Sequence, residues 1–296
     1  MVLKDKLALL GLVIVVFIVT VGVLSPWLSP HDPLQINLYE RLREPDIKHL
    51  PVTSPYYRPA VNPGEAKGSD AEYLLGTDHL GRCILSRIMH GTRVSLQTSF
   101  LVLLIIMTIG ILVGVLSGYA GGWIDNVVVN LIDVLLAFPG LVLALAIAGM
   151  LGPGITNVMI ALAAVHWVGY ARIVRGLVMS IKEKEFVLAA RSCGATNLSI
   201  ILRHVLPNMI SPVIVLATLD MGSIILTISG LSFLGLGAQP PMPEWGAMLN
   251  DGRPYLQVAP WLMFFPGLAI LMTVLSFNLM GDGLRDVFDP RGVRRL

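Results

Sequence analysis

The long apolar blocks, separated by short polar or glycine-rich breaks, limit this chain's fold more than any other feature. They cover about 7–24, 94–117, 127–150, 156–174, 210–236 and 261–280. Each is near or above the roughly 20 residues that carry a helix across a bilayer. Apolar residues make up 55% of the chain and charged ones 14%. A mean hydropathy of +0.75 lies far above that of an ordinary soluble domain. In lipid, backbone polar groups must be paired within the segment, so helices are the economical solution. The blocks predict an all-α membrane protein with six transmembrane helices.

Positive charges orient the spans. Lys4 and Lys6 precede the first block, and Ser25-Pro26-Trp27 is a poor cleavage site, so residues 1–25 read as a retained N-terminal helix. Arg172, Arg175, Lys182, Lys184, Arg191 and Arg203 surround the polar stretch between spans four and five, and Arg285, Arg291, Arg294 and Arg295 lie in the tail. Both termini are therefore expected inside, on the cytoplasmic face.

Residues 26–93 form a long extracytoplasmic loop, with Pro45, Pro51, Pro55, Pro59 and Pro63 opposing long helices there. Its basic residues are tolerated because the charge rule weakens in loops above about 60 residues. Thr77 or Asp78 is expected to cap a short interfacial helix carrying Ile84, Leu85, Ile88 and Met89 on one side, with Arg82 and Arg87 elsewhere. Residues 94–280 form a five-helix core and 281–296 a cytoplasmic tail, with Gly281-Asp282 ending the sixth span. Gly110 and Gly114 make a small-xxx-small pair that allows close helix approach. On this topology Cys83 and Cys193 fall on opposite sides of the membrane, which argues against a disulfide between them.

Several chemistries are absent. No GxxxxGK[ST] loop occurs, so the chain cannot cradle a nucleotide in the usual way, and any work drawn from ATP belongs to a partner. HExxH, CxxC and GxSxG are missing too, which leaves an intramembrane enzyme without catalytic pairs. A net charge of +2 without an aromatic-interleaved basic patch gives no footing for nucleic acid. A self-sufficient secondary transporter would need inverted repeats, and none is evident.

Ionisable residues at membrane depth are costly and each needs a reason. His166 with Trp167 lies within span four, and Asp220 with Met221 within span five. These four are the candidate translocation path. His166 and Asp220 are also candidates for transient contact with a divalent ion. The alternative is that they hydrogen-bond between helices. Asp133 reads as a helix-end or interhelical polar contact, and Met150 and Met159 as packing residues.

Between spans four and five lies a polar hairpin within 178–207. Phe186, Ala189, Ala190 and Cys193 fall at i, i+3, i+4 and i+7 and share a helix face. Gly194 breaks the pattern, Thr196 or Asn197 can cap a second short helix, and Pro207 is expected to end it. These residues resemble the cytoplasmic EAA loop of ATP-binding-cassette (ABC) importer permeases. Ala189 and Ala190 match its alanines, Gly194 its glycine, and Leu206-Pro207 its ending. Leu188 stands where that motif has Glu, with the acid at Glu185 instead, and His204 stands where it has Ile.

The likeness continues in LLGTDHLGRCILSRIMHGTRVSL at 74–96, with Cys83 at a usual Asp, in LSFLGLGAQPPMPEWGAML at 231–249 and in GDGLRDVFDPR at 281–291. The chain resembles the C-type permease of the dipeptide, oligopeptide and nickel family. That resemblance implies the type I ABC importer fold, alternating access and a place in a prokaryotic cytoplasmic membrane. It implies a second homologous permease, two ATPase subunits that bind ATP and magnesium, an extracytoplasmic substrate-binding protein, and no cofactor on this chain. It assigns ATPase coupling to Glu185, Phe186, Ala189, Ala190, Arg191, Gly194, Leu206 and Pro207. Residues 166–176 and 215–237 are more similar to nickel permeases, so nickel as ion or chelate is the expected cargo, with dipeptides or oligopeptides as the alternative.

Overall fold

A computed structural model describes residues 6–45 and 73–288. The prolines at 51, 55, 59 and 63 and the arginines at 291, 294 and 295 lie outside the described residues, as does Lys4. Ten α-helices follow in order among the described residues: α1 (Lys6–Leu28), α2 (Ile84–Ala120), α3 (Gly122–Leu136), α4 (Gly140–Leu151), α5 (Ile155–Lys182), α6 (Glu185–Ser192), α7 (Asn197–Ile200), α8 (Leu206–Phe233), α9 (Trp245–Gly252) and α10 (Trp261–Phe288). No strand occurs among the described residues. Five helical stretches are long and apolar enough to cross a membrane, and the bent pair α3–α4 makes a sixth if counted as one span.

Helix α2 is the central post. Nothing in 84–120 breaks it, so the expected interfacial helix and the second span are one helix of 37 residues, about 55 Å long. Gly91 does not interrupt it, because α9 needs the space: a Cβ there would meet Trp245 Cδ1 at 2.9 Å. Neither Thr77 nor Asp78 caps α2. Its N-cap is Cys83, and Asp78 instead accepts from the backbone N–H groups of Leu80 and Arg82.

Helix α2 packs along α5 through a stripe of three glycines. A Cβ would lie 2.3 Å from Tyr170 Cβ at Gly110, 2.7 Å from the Ala171 carbonyl at Gly114, and 2.8 Å from the Arg175 carbonyl at Gly118. The expected Gly110–Gly114 pair is thus part of a longer seam. Helix α1 lies against α10 and α2.

The third span is not one helix. Helices α3 and α4 meet at 84° across residues 137–139. Pro139 lacks an N–H for the helical ladder and restrains Phe138 toward extended backbone, so the helix ends before it and restarts at Gly140. Two ion pairs fix α3 to α5. Arg175 grips Asp125 bidentately, at 2.6 Å and 2.7 Å, and Arg172 meets Asp133, the interhelical contact expected for that aspartate.

Helix α10 also overruns its expected end. Gly281 and Gly283 lie inside it because neighbours press close: Cβ atoms there would meet Leu219 Cδ2 at 2.5 Å and Ala8 Cβ at 2.1 Å. Cys83 is buried, Cys193 is exposed, and both are free.

At the end of the bundle where α2 begins, a buried charge knot joins the segment before α2 to α9. Arg82 Nε donates to Asp78 Oδ2 at 2.6 Å, and Arg87 and Asp251 complete the cluster. Arg82 and Arg87 are buried rather than interfacial. Desolvating such cations is tolerable only with partners in place. Nearby, the fully buried Glu244 caps α9 by accepting from Gly246 N at 3.0 Å and Ala247 N at 2.8 Å.

Candidate functional site: a hairpin and a polar cluster on α5 and α8

The hairpin hangs between α5 and α8. Helix α6 ends in a glycine turn: Gly194 has φ of +83°, and the Ala195 N–H reaches the Ala190 carbonyl at 3.1 Å. That backbone region disfavours any residue with a Cβ. Thr196 then caps α7, its hydroxyl accepting from the Ser199 N–H at 3.3 Å.

Pro207 does not end the second helix. The chain runs as one helical body over Asn197–Phe233, with a π-helical stretch over Ile201–Val205. The Leu206 N–H bonds five residues back, to the Ile201 carbonyl. This widened turn directly precedes Pro207, which occupies the first turn of α8, where a missing N–H is least costly. The hairpin is therefore helically continuous with α8 on one side. On the other, only the turn at 183–184 separates α6 from α5.

Its inner face is apolar and closed. Val187, Ile200 and Val205 are fully buried with Val178, Ile181 and Met209. Tyr119 Oη donates to Asn197 Oδ1 at 2.9 Å, and Lys182 Nζ donates to the Gly118 carbonyl at 3.0 Å, tying the hairpin to the end of α2. The outer face is open. Glu185, Phe186, Ala189, Arg191, Gly194 and Pro207 are exposed, while Ala190 and Leu206 are half-buried. Leu188, Leu198 and Leu202 are exposed as well, the last two at 65% and 54%. Phe186 sits against His204, ring centroids 6.1 Å apart. An apolar knob with a charged rim is what a socket on another protein would take up. Sequence reasoning missed Val187, the buried anchor of α6; its place opposite the Phe186–Ala189–Ala190 face is the signal that marks it.

The second region lies at membrane depth. The structure brings His166, Tyr170 and Asp220 together where α5 meets α8. Asp220 faces both side chains, yet His166 Nδ1 and Tyr170 Oη are buried without a hydrogen-bond partner of normal geometry. Tyr170 escaped sequence reasoning because a tyrosine in an apolar block reads as packing; its position one turn beyond His166 was the available signal. The other two path candidates are not in this cluster. Trp167 Nε1 donates to the Ala164 carbonyl of its own helix at 3.1 Å. Met221 points into the apolar core and lines a groove shared with α1, α2 and α10. No group of three or more metal-ligating side chains occurs among the described residues. His166 and Asp220 supply two ligands, which is too few to hold a bare ion without donors brought by the cargo.

Residues 110–294 match the family model described as binding-protein-dependent transport system inner membrane component, and residues 2–45 match the N-terminal TM domain of oligopeptide transport permease C. The dipeptide transport system permease protein DppC of Alkalihalophilus pseudofirmus is 41% identical over 288 residues, 97% of this chain and 87% of that one. The nickel transport system permease protein NikC of Escherichia coli K12 is 42% identical over 281 residues, 95% of this chain and 93% of that one. The glutathione transport system permease protein GsiD of Shigella flexneri is 41% identical over 288 residues, 97% of this chain and 88% of that one. Among solved structures, a chain of the MetNI methionine ABC transporter in inward-facing conformations superimposes with a TM-score of 0.53 at 19% identity, covering 69% of this chain and 97% of that one. The bundle thus has the expected type I ABC importer permease fold.

Proposed function

Because this chain belongs to the family of binding-protein-dependent inner-membrane transport components, we propose that it takes up the force of ATP hydrolysis through its α6–α7 hairpin and passes nickel, as ion or chelate, along α5 and α8. At the coarser level it is a multi-pass permease subunit of an ABC importer, and ATPase and substrate-binding chains are its partners. The finer reading sets it beside a second, homologous permease and two ATPases, with both termini on the cytoplasmic side.

One observation carries the coupling. The hairpin is apolar and open outward, closed inward, continuous with α8 and separated from α5 only by the turn at 183–184. A push on Phe186, Ala189, Ala190 and Gly194 would reach Asp220 through α8 and His166 through that short turn. ATP must favour one state over the other for this to work, since equal affinity shifts nothing. Nickel as cargo is supported by the meeting of the Asp220 carboxylate with an imidazole whose Nδ1 is buried without a hydrogen-bond partner. With only two ligands present, a chelate that keeps its own donors fits better than a bare ion. The same scarcity favours a second reading, a short peptide, whose amine and carboxylate Asp220, Tyr170 and His166 suit equally well.

A paired experiment tests this reading on the assembled importer. His166→Ala should cut nickel uptake while ATPase copurification and basal ATP hydrolysis stay intact. Gly194→Arg should lose the ATPase and uptake together. Full nickel uptake by His166→Ala would reduce the cluster to a structural contact, and an ATPase retained by Gly194→Arg would remove the hairpin's role.

A further inference from the structure

We propose that the groove between α1, α2, α8 and α10 is a binding site for one anionic phospholipid, with its acyl chains along the groove and its phosphate on Arg93. The groove measures about 760 Å³, within the roughly 300–1,000 Å³ of ordinary ligand clefts. Its walls are apolar, with Val23 and Trp27 on α1, Phe100 and Met107 on α2, and Met221 and Phe277 behind them. Val23, Trp27 and Phe100 are 58–78% exposed at its rim, so it opens on the flank of the bundle. A polar solute gains nothing from such a lining, whereas hydrocarbon does.

Charge selects the occupant. Arg93 lies at the mouth near the N-terminal end of α2, is exposed, and makes no ion pair among the described residues. Gln97, one turn on, is the next polar group. Gly22 holds α1 beside this point: a Cβ there would meet Thr92 Cγ2 at 3.1 Å and the Arg93 N at 3.4 Å. Guanidinium pairs bidentately with phosphate, and Trp27 at the rim is the residue type that sits at headgroup level. An unpaired arginine above an apolar cleft matches a phosphodiester above two chains. In the orientation proposed above this is the outer leaflet. The inference is otherwise independent of the hairpin and of the cargo.

The test uses the intact importer, with all its subunits, stripped of lipid and titrated with dioleoylphosphatidylglycerol under native mass spectrometry. One lipid should bind per copy of this chain. Arg93→Glu should weaken binding at least fivefold and Arg93→Gln by less. Ala217→Trp, which fills the groove wall, should weaken it as much as Arg93→Glu. Diacylglycerol should bind more weakly than the phospholipid, and glycerol 3-phosphate should not bind. ATPase association, read in the same spectra, should not change in any variant. Retention that both Arg93 variants leave unaltered would overturn the site, and should Ala217→Trp fail to assemble, those two variants decide alone. Glycerol 3-phosphate binding as tightly as the lipid would make it a simple anion site. A disulfide cross-link from Phe100→Cys to the second permease would show the groove filled by protein, which also overturns the proposal.

Discussion

A missing methyl group at position 110 sets how closely α2 can approach α5. A Cβ there would meet another Cβ, that of Tyr170, at 2.3 Å, and a backbone carbonyl, that of Trp167, at 3.0 Å. Neither is the free end of a flexible side chain, so one of the helices would have to move. Gly110→Ala should therefore destabilise the assembled protein by about 1–3 kcal/mol, the usual cost of overpacking, although alanine gains about 1 kcal/mol in helix propensity. Gly149→Ala is the control, since nothing lies within 4 Å of its Cβ; it should leave stability equal or slightly higher. Thermal unfolding of the purified complex reads both, and equal midpoints would show that the seam is not close-packed. Part of this was legible in advance. Spacing alone marked Gly110 and Gly114 as a contact, but Gly118 lies just past the apolar block that ends at 117, while the helix runs on to Ala120. The same bias hid Gly281 and Gly283: a glycine that makes room for a neighbour looks, in sequence, like one that ends a helix.

Among the elements, the hairpin is the one the proposed coupling treats as a lever. Helix α6 is held by little besides Val187, which is fully buried against the ends of α5, α7 and α8. Val187→Ala should cost about 2 kcal/mol of local stability and free α6 without touching the exposed face. Limited trypsin digestion should then cut at Lys182, Lys184 or Arg191 faster than in the unaltered protein, and unchanged rates would mean that α6 is held some other way. The hairpin's shape, two short helices meeting at Gly194, was readable from its apolar spacing and its glycine, because a helix period and a breaker survive translation into three dimensions. Its join to α8 was not. Pro207 signals an end in any local reading, and only the π-helical turn before it, a feature without a sequence signature, carries the helix through. The third span failed in the same way: Pro139 was in plain view, but a run of apolar residues outweighed it, and the 84° bend followed the proline. Arg82 and Arg87 fell outside the apolar side of an expected interfacial helix, and their burial was hidden because their partners Asp78 and Asp251 include one about 170 residues away, a pairing no local pattern displays.

At the scale of the whole molecule the proposed coupling makes the two regions one path for force. The hairpin lies at one end, the His166–Tyr170–Asp220 cluster at membrane depth, and the buried knot of Asp78, Arg82, Arg87 and Asp251 at the other end. Helices α5 and α8 run between them, with α2 as the post against which they bear. Motion of the hairpin should be converted into a change along the bundle rather than absorbed locally, because close-packed interiors yield by switching between packings, not by continuous give.

The most direct test of that coupling is a cysteine cross-link. In a Cys193→Ser background, which removes the exposed native thiol and leaves the buried Cys83, Ala189→Cys should cross-link to the ATPase subunit in the assembled importer, with a yield that changes between the nucleotide-free and ATP-bound states. Absence of any cross-link to the ATPase in every nucleotide state, in a complex that still imports, would contradict the hairpin as the point where force enters.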